Sequence, residues 1–502
     1  MCLYRPKSSG IILQQFNEQL KRRFEKEQNE TEVEFPLNNN DNANQDAFGT
    51  THRMITDNGF KKCAGGLLNK GLRLTKSAKC GMYDHQILKS LMNDALKPPN
   101  DKDNIQTMED IKVKLLKKMG INEKYKNEDR SWLSKYLPKT QSELPPRSMN
   151  DSYDIAIVPL STDLVLQNKY TTTLKSLRMG RLLEDMDNFA VWVVMKHIHN
   201  PKQPDDIPTP YVIVTLLVDD VIINPIQFSD RDLILSGQVT YAGKTSLEVT
   251  LWLDQKNGDK FKRITRAHFV FVARDPTNTK SVIVNNLVPT GEREKQILLQ
   301  SAKKNEDRKK ARQNAILEKI PTSEELSLMY GTILKTVDQN KPIIGNTVLP
   351  NNCMWMNDTK METNNVCHPE DRNLHYTVFG GYLMRVACEL AFLVASIHCK
   401  STVELKAIHN ITFREPVPLG SRLKLTGKIC YTTDRTMIVQ IIAEVEEITS
   451  TKSFMSNSFD YVFVASKDFK EVLPQDSHDS LLYIDGRRRY CEFVDRLKSE
   501  DH

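Results

Sequence analysis

Between Tyr382 and Ile397 the chain is apolar except for Arg385, Glu389 and Ser396, the pattern of a helix buried on nearly every side. Phe379-Gly380-Gly381 stands at its start, and glycine there lets another backbone or a ligand approach closely. A second helical stretch runs from about Gly180 to Lys196. Strands are predicted at 155–160 (IAIVPL) and near 211–223, 232–242, 246–254 and 264–273. Leu247, Val249, Leu251 and Leu253 alternate with polar residues or Trp252, which marks a sheet with one buried face. From Ile111 to Leu133 the spacing is loosely helical, and Pro145-Pro146 closes that lead-in. Residues 1 to about 100 hold no sustained periodicity and include an asparagine-rich piece, Asn38 to Asn44, so disorder is expected there.

The second half of the chain repeats the first. LVDDVIINPIQFSDRDLILSGQVTY (217–241) aligns with AIHNITFREPVPLGSRLKLTGKICY (407–431) at a constant offset of 190, matching Gly237 with Gly427 and Tyr241 with Tyr431. Met437, Val439, Ile441 and Ala443 then fall on Leu247, Val249, Leu251 and Leu253, while Val445 falls on Gln255 and breaks the match. Gly180 before its helix corresponds to Gly381 before the other. Each copy reads as strand, long helix, then four strands, and a lone apolar helix followed by antiparallel strands asks for a curved sheet wrapped around it. The predicted fold class is therefore α+β: two tandem hotdog domains joined edge to edge as a pseudo-dimeric double hotdog, a union that pairs the exposed edge strands.

These signals divide the chain into a disordered region (1–100), a helical lead-in (101–143), a first hotdog (144–276), a charged helical linker (277–345), a second hotdog (346–470) and a C-terminal extension (471–502). The linker helix, 292–319, carries Lys303, Lys304, Arg308, Lys309, Lys310 and Arg312 and reads as a solvated helix rather than a phosphate cradle. Composition narrows the function classes. Lys and Arg total 70 against 64 Asp and Glu, too even a balance for a general nucleic-acid binder. Nine cysteines without regular spacing argue against a disulfide framework and for a reducing compartment. No uninterrupted apolar run approaches a membrane-spanning length, so a soluble or peripheral protein is expected. The basic, acid-free segment 59–81 has the balance of an organellar transit peptide but lies far from Met1; a start at Met54 or a plain basic linker both account for it.

Few of the usual catalytic constellations fit this chain. Gly243-Lys244-Thr245 resembles the end of a phosphate loop, but Gln238 stands where a glycine is required. No Gly-x-Ser-x-Gly elbow is present. Cys367, His368 and His375 lack zinc-like spacing, and no metal site is expected. What remains is the helix start at Gly380 and Gly381, whose first N–H groups lack intrahelical partners and can receive an oxyanion, together with the acids of the two helices.

LPPRSMNDSYDIAIVPLSTD (144–163), RMGRLLEDMD (178–187), WMNDTKM (355–361), CHPEDRN (367–373), VFGGYLMR (378–385) and LYIDGRRRY (482–490) together resemble the tandem-hotdog acyl-coenzyme A thioesterases, most closely the mitochondrial acyl-coenzyme A thioesterase 9 type, from about Leu133 to Tyr490. The resemblance implies hydrolysis of fatty acyl-coenzyme A by water, with no metal and no bound cofactor, coenzyme A being part of the substrate. It also implies a homo-oligomer and a mitochondrial matrix location, with the cytosol as the alternative. In that scheme backbone N–H at Gly380 and Gly381 polarises the carbonyl and a carboxylate activates the water. Related enzymes often carry Asp or Asn two residues before the FGG-like turn, where this chain has Thr377. The carboxylate is then expected from Glu184, Asp185 and Asp187 of the first helix, and Asp187 is the chosen base, because Arg181 with Asp185 and Arg385 with Glu389 can pair locally at i,i+4. Asn373, His375 and Glu389 complete the candidate set. Two competing classes share the scaffold: an acyl-coenzyme A binding module that has lost its base, and a dehydratase using His375 with Glu389.

Overall fold

The computed structural model describes residues 105 to 500 except 122–128, 220, 225–227, 259, 313–319, 339–346, 374–376, 410, 449 and 451. The expected disordered region, the basic 59–81 segment, the end of the charged linker helix and His375 lie outside the described residues.

The lead-in forms α1 (Met108–Met119), opened by a capping box between Thr107 and Asp110 and closed by Gly120 at φ 71. The first copy follows as α2 (Met149–Ser152), β1 (Asp154–Val158), α3 (Leu164–Tyr170), α4 (Met179–His197), β2 (Val212–Val218), β3 (Val221–Ile223), β4 (Leu233–Ala242), β5 (Ser246–Asn257) and β6 (Lys260–Arg274). Two linker helices come next, α5 (Glu292–Arg312) and α6 (Ser323–Lys335). The second copy holds β7 (Cys353–Trp355), β8 (Met361–Val366), α7 (Gly380–Cys399), β9 (Val403–Ile408), β10 (Ile411–Phe413), β11 (Arg422–Thr433), β12 (Thr436–Glu446) and β13 (Ser453–Ala465). The chain then runs through β14 (Glu471–Leu473) to α8 (Ser477–Glu500).

Twelve strands form one sheet in the order β1-β4-β5-β6-β2-β10-β13-β12-β11-β8, with β3 bridging β6 to β9 and β9 also pairing β13. The predicted single strand at 211–223 is two, β2 and β3, and its counterpart is likewise split into β9 and β10. The join between the halves obeys a twofold rule: Val218 pairs with Ile411 and Val221 with Ile408, and at the offset of 190 residues these two pairs exchange partners. Irregularities repeat as well. The ladder slips between Val239 and Tyr241 and between Ile429 and Tyr431, between Leu253 and Asp254 and between Ala443 and Glu444, and again across Leu216 and across Lys406. Bulges re-aim strands and belong to a particular folded unit, so three at matched positions are a structural signature of the duplication.

Both long helices lie against the inner face of the sheet. Leu182, Leu183, Met186, Phe189, Ala190, Val193 and Val194 of α4 are all at 0 % exposure, and burial of this face outweighs the weak helix propensity of its valines. α7 has the length and hydropathy of a membrane span, but it serves here as the core helix of the second copy, with Met384, Ala387, Leu390, Ala391, Val394 and Ala395 buried. The outer faces carry α5 and α8. The solvated reading of the linker helix is corrected for its described part: Arg308 donates from Nε to Asp219 (2.9 Å) and from Nη1 to Glu248 (2.5 Å), and Lys304 Nζ lies 3.1 Å from His268 Nε2. On the other half Arg489 of α8 approaches Asp460 of β13 at 3.3 Å.

Candidate active site

The first turns of α4 and α7 cross at the join, and glycine makes the crossing possible. A Cβ on Gly180 would stand 2.9 Å from the carbonyl oxygen of Arg385, and one on Gly381 would stand 3.0 Å from Glu184 Cα. The two contacts mirror each other, because Gly180 corresponds to Gly381 and Glu184 to Arg385 at a helix offset of 201 residues. Glu184 and Arg385 therefore meet near the pseudo-twofold axis as opposite charges, Nε to Oε2 at 3.2 Å. In a true homodimer that position would face its own copy.

One helical turn beyond Glu184, Asp187 is wholly buried and faces the start of α7. Its Oδ1 accepts a hydrogen bond from Thr215 Oγ1 of β2 at 3.0 Å, and its Oδ2 lies 3.3 Å from where a Cβ on Gly380 would be. Oδ2 has no hydrogen-bond partner of regular geometry, although the N–H of Gly381 still favours the ionised form. Burial pushes the carboxyl up to about 7, with Thr215 and Gly381 opposing the shift and the charge of Glu184 adding to it. The result is a carboxyl that titrates near neutrality beside a helix start whose first N–H groups lack intrahelical partners, an arrangement that suits proton abstraction from water coupled to stabilisation of an oxyanion.

The remaining candidates are placed as follows. Asn373 closes the loop before α7: its Nδ2 donates to Thr377 Oγ1 (2.6 Å), and its backbone N–H donates to the Thr377 carbonyl (2.8 Å). Glu389 is not gathered with Asp187, for its carboxylate accepts from Arg178 Nε at 2.7 Å and is partly exposed. The expected local pairings are also corrected. Arg181 pairs with Glu184 (2.8 Å), and Arg385 reaches Glu184 and Asp371 instead of Glu389. Asp185 is a structural buried acid, bonded by the Tyr170 hydroxyl and by Lys112 Nζ of α1 at 2.6 Å.

A thioesterase superfamily model matches residues 375–452. The mouse mitochondrial acyl-coenzyme A thioesterase 9 is 34% identical over 387 residues, covering 76% of this chain and 88% of that protein. Its human namesake is 33% identical, covering 78% and 89%. This chain belongs to the acyl-coenzyme A thioesterase family. Among solved structures, an acyl-CoA hydrolase from Staphylococcus aureus, described in complex with butyryl coenzyme A, is 23% identical, with a TM-score of 0.27 over 30% of this chain and 97% of that one.

The pseudo-equivalent position in the other half of this thioesterase is built differently. At the helix offset Asp187 becomes Cys388 and Gly380 becomes Met179; at the strand offset Thr215 becomes Leu405. Burial pushes the Cys388 thiol up to about 12, so it stays protonated and unreactive. Thr215 was not among the residues singled out from the sequence. Its signal was the lone hydroxyl in the apolar run VIVTLLV (212–218), which the copy-to-copy comparison with Leu405 would have sharpened. For metals, Asp476, His478 and Asp479 at the start of α8 bring ligand atoms within 4.8 Å of one another. Asp476 Oδ1 already caps the Asp479 N–H at 2.8 Å, and Asp479 is 3.4 Å from Lys428 Nζ.

Proposed function

We propose that this acyl-coenzyme A thioester hydrolase works through the single cleft between Asp187 and the first turn of α7, on fatty acyl-coenzyme A. The observation that carries the reading is the 3.3 Å approach of Asp187 Oδ2 to the Cβ position of Gly380, which joins a buried acid from one copy to the helix start of the other. The acyl carbonyl receives hydrogen bonds from the N–H groups of Gly380 and Gly381. Asp187 takes a proton from water as its oxygen bonds to the carbonyl carbon, and the negative charge gathers on the carbonyl oxygen. When that intermediate collapses the C–S bond breaks, and the proton held by Asp187 leaves with the coenzyme A thiolate. Asn373, by tying its loop to Thr377, positions the turn that holds the glycines. The dehydratase reading loses support from Glu389, which is engaged by Arg178 at the helix surface.

The same reading extends to assembly and address. A homo-oligomer is proposed, along with the mitochondrial matrix, an address motivated by the mitochondrial names of the relatives and the basic segment 59–81. Residues 54–100 fused to a reporter should then enter mitochondria, and cytosolic retention of both the reporter and the full chain would remove the claim. For the reaction, the purified chain is incubated with acyl-coenzyme A of graded chain length and a thiol reagent. Thiol release that disappears in Asp187→Asn supports the scheme. Tight binding without release would make the protein a binding module.

A further inference from the structure

Phe413 ends β10, the strand at the join of the two halves, where Thr412 pairs with Leu217 of β2 and Phe413 with Asn457 of β13. Its ring reaches across to the helix start: Cε1 and Cζ both lie 3.3 Å from the Cβ position of Gly380, the same point that Asp187 Oδ2 approaches at 3.3 Å. Ring, carboxylate and glycine therefore converge on one small volume. The backbone carrying the ring is tied down by Asn457 Nδ2 to the Thr412 carbonyl (3.2 Å), by the Arg414 N–H to the Ser456 carbonyl (3.3 Å) and by Ser456 Oγ to the Glu415 carbonyl (2.8 Å). Ser456 and Asn457 are themselves fully buried. The strand is thus held by polar contacts, while the ring is half-buried. In the other half the matching residue is Ile223, 2 % exposed.

Asp187 has no exposed surface in this arrangement, yet water and a carbonyl must reach it. From α4 it meets Glu184, which Arg181 and Arg385 hold; from β2 it meets Thr215; from α7, the Gly380–Gly381 turn. All of these are fixed by hydrogen bonds, ion pairs or helix backbone. Two rings reach the glycine turn, Phe379 at 2.8 Å from the Cβ position of Gly381 and Phe413 at 3.3 Å from that of Gly380, and of the two Phe413 is the one at the point that Asp187 Oδ2 approaches.

We propose that Phe413 is the specificity-determining gate of the cleft: its ring turns aside to admit the thioester carbonyl and, in the turned position, leaves no room for a substituent on the adjacent acyl carbon. This rests on the assignment of Asp187 as the base. Acyl-coenzyme A unbranched next to the carbonyl is then the accepted class and 2-methyl-branched acyl-coenzyme A the rejected one. A single methyl in an apolar pocket is worth roughly 10- to 200-fold in kcat/KM.

The test measures kcat and KM of the full chain for a straight-chain and a 2-methyl-branched acyl-coenzyme A of equal length, in wild type, Phe413→Leu and Phe413→Ala, with a kcat/KM pH profile for each. Phe413→Ala should lower the straight-to-branched preference about tenfold or more and move the acid limb of the profile to lower pH, because water then reaches Asp187. Phe413→Leu should fall between. If Phe413→Ala does not fold, the same ratio in Phe413→Leu decides. A folded variant with both the ratio and the acid limb unchanged overturns the proposal. Activity retained by Asp187→Asn would instead overturn the assignment of the base, so the two failures are distinguishable.

Discussion

The two helix starts at the join share a backbone and differ in the side chains around them. Where one has Asp187, Gly380 and Thr215, the other has Cys388, Met179 and Leu405. Every strand pairing, bulge and helix crossing that frames the first also frames the second. A fold of this kind therefore supplies the helix start and the covering sheet twice, and in the proposed mechanism a carboxylate and a glycine decide which of the two reacts. Covalent linkage makes that division possible. In a homodimer both clefts would need the acid and the double glycine in one sequence, whereas here one copy keeps each. The opposite charges of Glu184 and Arg385 at matched positions are a second sign of the same freedom.

The comparison is broken most directly at Asp187. Asp187→Asn should fold and lose roughly 10²- to 10⁴-fold in turnover, the usual contribution of a general base, measured by thiol release. Near-wild-type activity together with an inactive Glu389→Gln would reverse the assignment of halves. Stability should move the other way. The folded chain holds the Asp187 proton up to about pH 7, while the unfolded chain releases it near 3.8. The folded state thus binds more protons between those values, and stability falls as pH rises through that window. A shift of about three units corresponds to on the order of 4 kcal/mol, so Asp187→Asn should melt a few degrees higher than wild type above pH 7 and match it below about pH 4.

A branched side chain at Gly380 comes next. Gly380→Val places carbon against both Asp187 Oδ2 and the Phe413 ring, and displacing a reacting group by about 1 Å costs roughly 10²-fold. Met179→Gly, the matching change in the other half, should leave kcat within a factor of two. A smaller effect is expected at Thr215. Thr215→Val removes the 3.0 Å bond to Asp187 Oδ1, a loss of about 1–3 kcal/mol for a buried acceptor. Because that bond favours the carboxylate, its removal raises the pKa further. Activity in wild type should rise with pH through about 7, and in Thr215→Val the rise should come at higher pH, with kcat/KM at pH 7 down about tenfold.

Much of this was legible before any coordinates. The duplication follows from the repeated strand segment, and the join follows from two sheets that each leave an edge. Asp187 and the glycines could be chosen because one copy holds the acids and the other the double glycine. What could not be read were contacts set by the crossing of the helices. Arg181 with Asp185 and Arg385 with Glu389 are good i,i+4 pairs on an isolated helix, but the crossing brings Glu184 between both arginines and leaves Asp185 to Tyr170 and Lys112. Thr215 sits in a run that periodicity describes only as a buried strand, since a single hydroxyl does not change the pattern. The charged linker helix misled for a related reason: Arg308 counts as solvated until Asp219 and Glu248 are seen beneath it.

The smallest expected effect is also the sharpest check on the half that lacks the acid. Cys388 occupies the position of Asp187, and a thiol could in principle serve as a nucleophile there. Its surroundings argue against that. Burial holds the thiol at about 12, so at neutral pH only about one molecule in 10⁵ would carry the thiolate that attacks a thioester. Met179 and Leu405 stand at the positions matched to Gly380 and Thr215, so the glycine and the hydroxyl are both missing from this half. Cys388→Ala should therefore leave turnover within a factor of two of wild type at every acyl length, while costing on the order of 1 kcal/mol in stability through a smaller packed side chain. A loss of tenfold or more, or labelling of Cys388 by an acyl-coenzyme A substrate, would mean that both clefts react and that the asymmetry between the copies is one of mechanism rather than of presence.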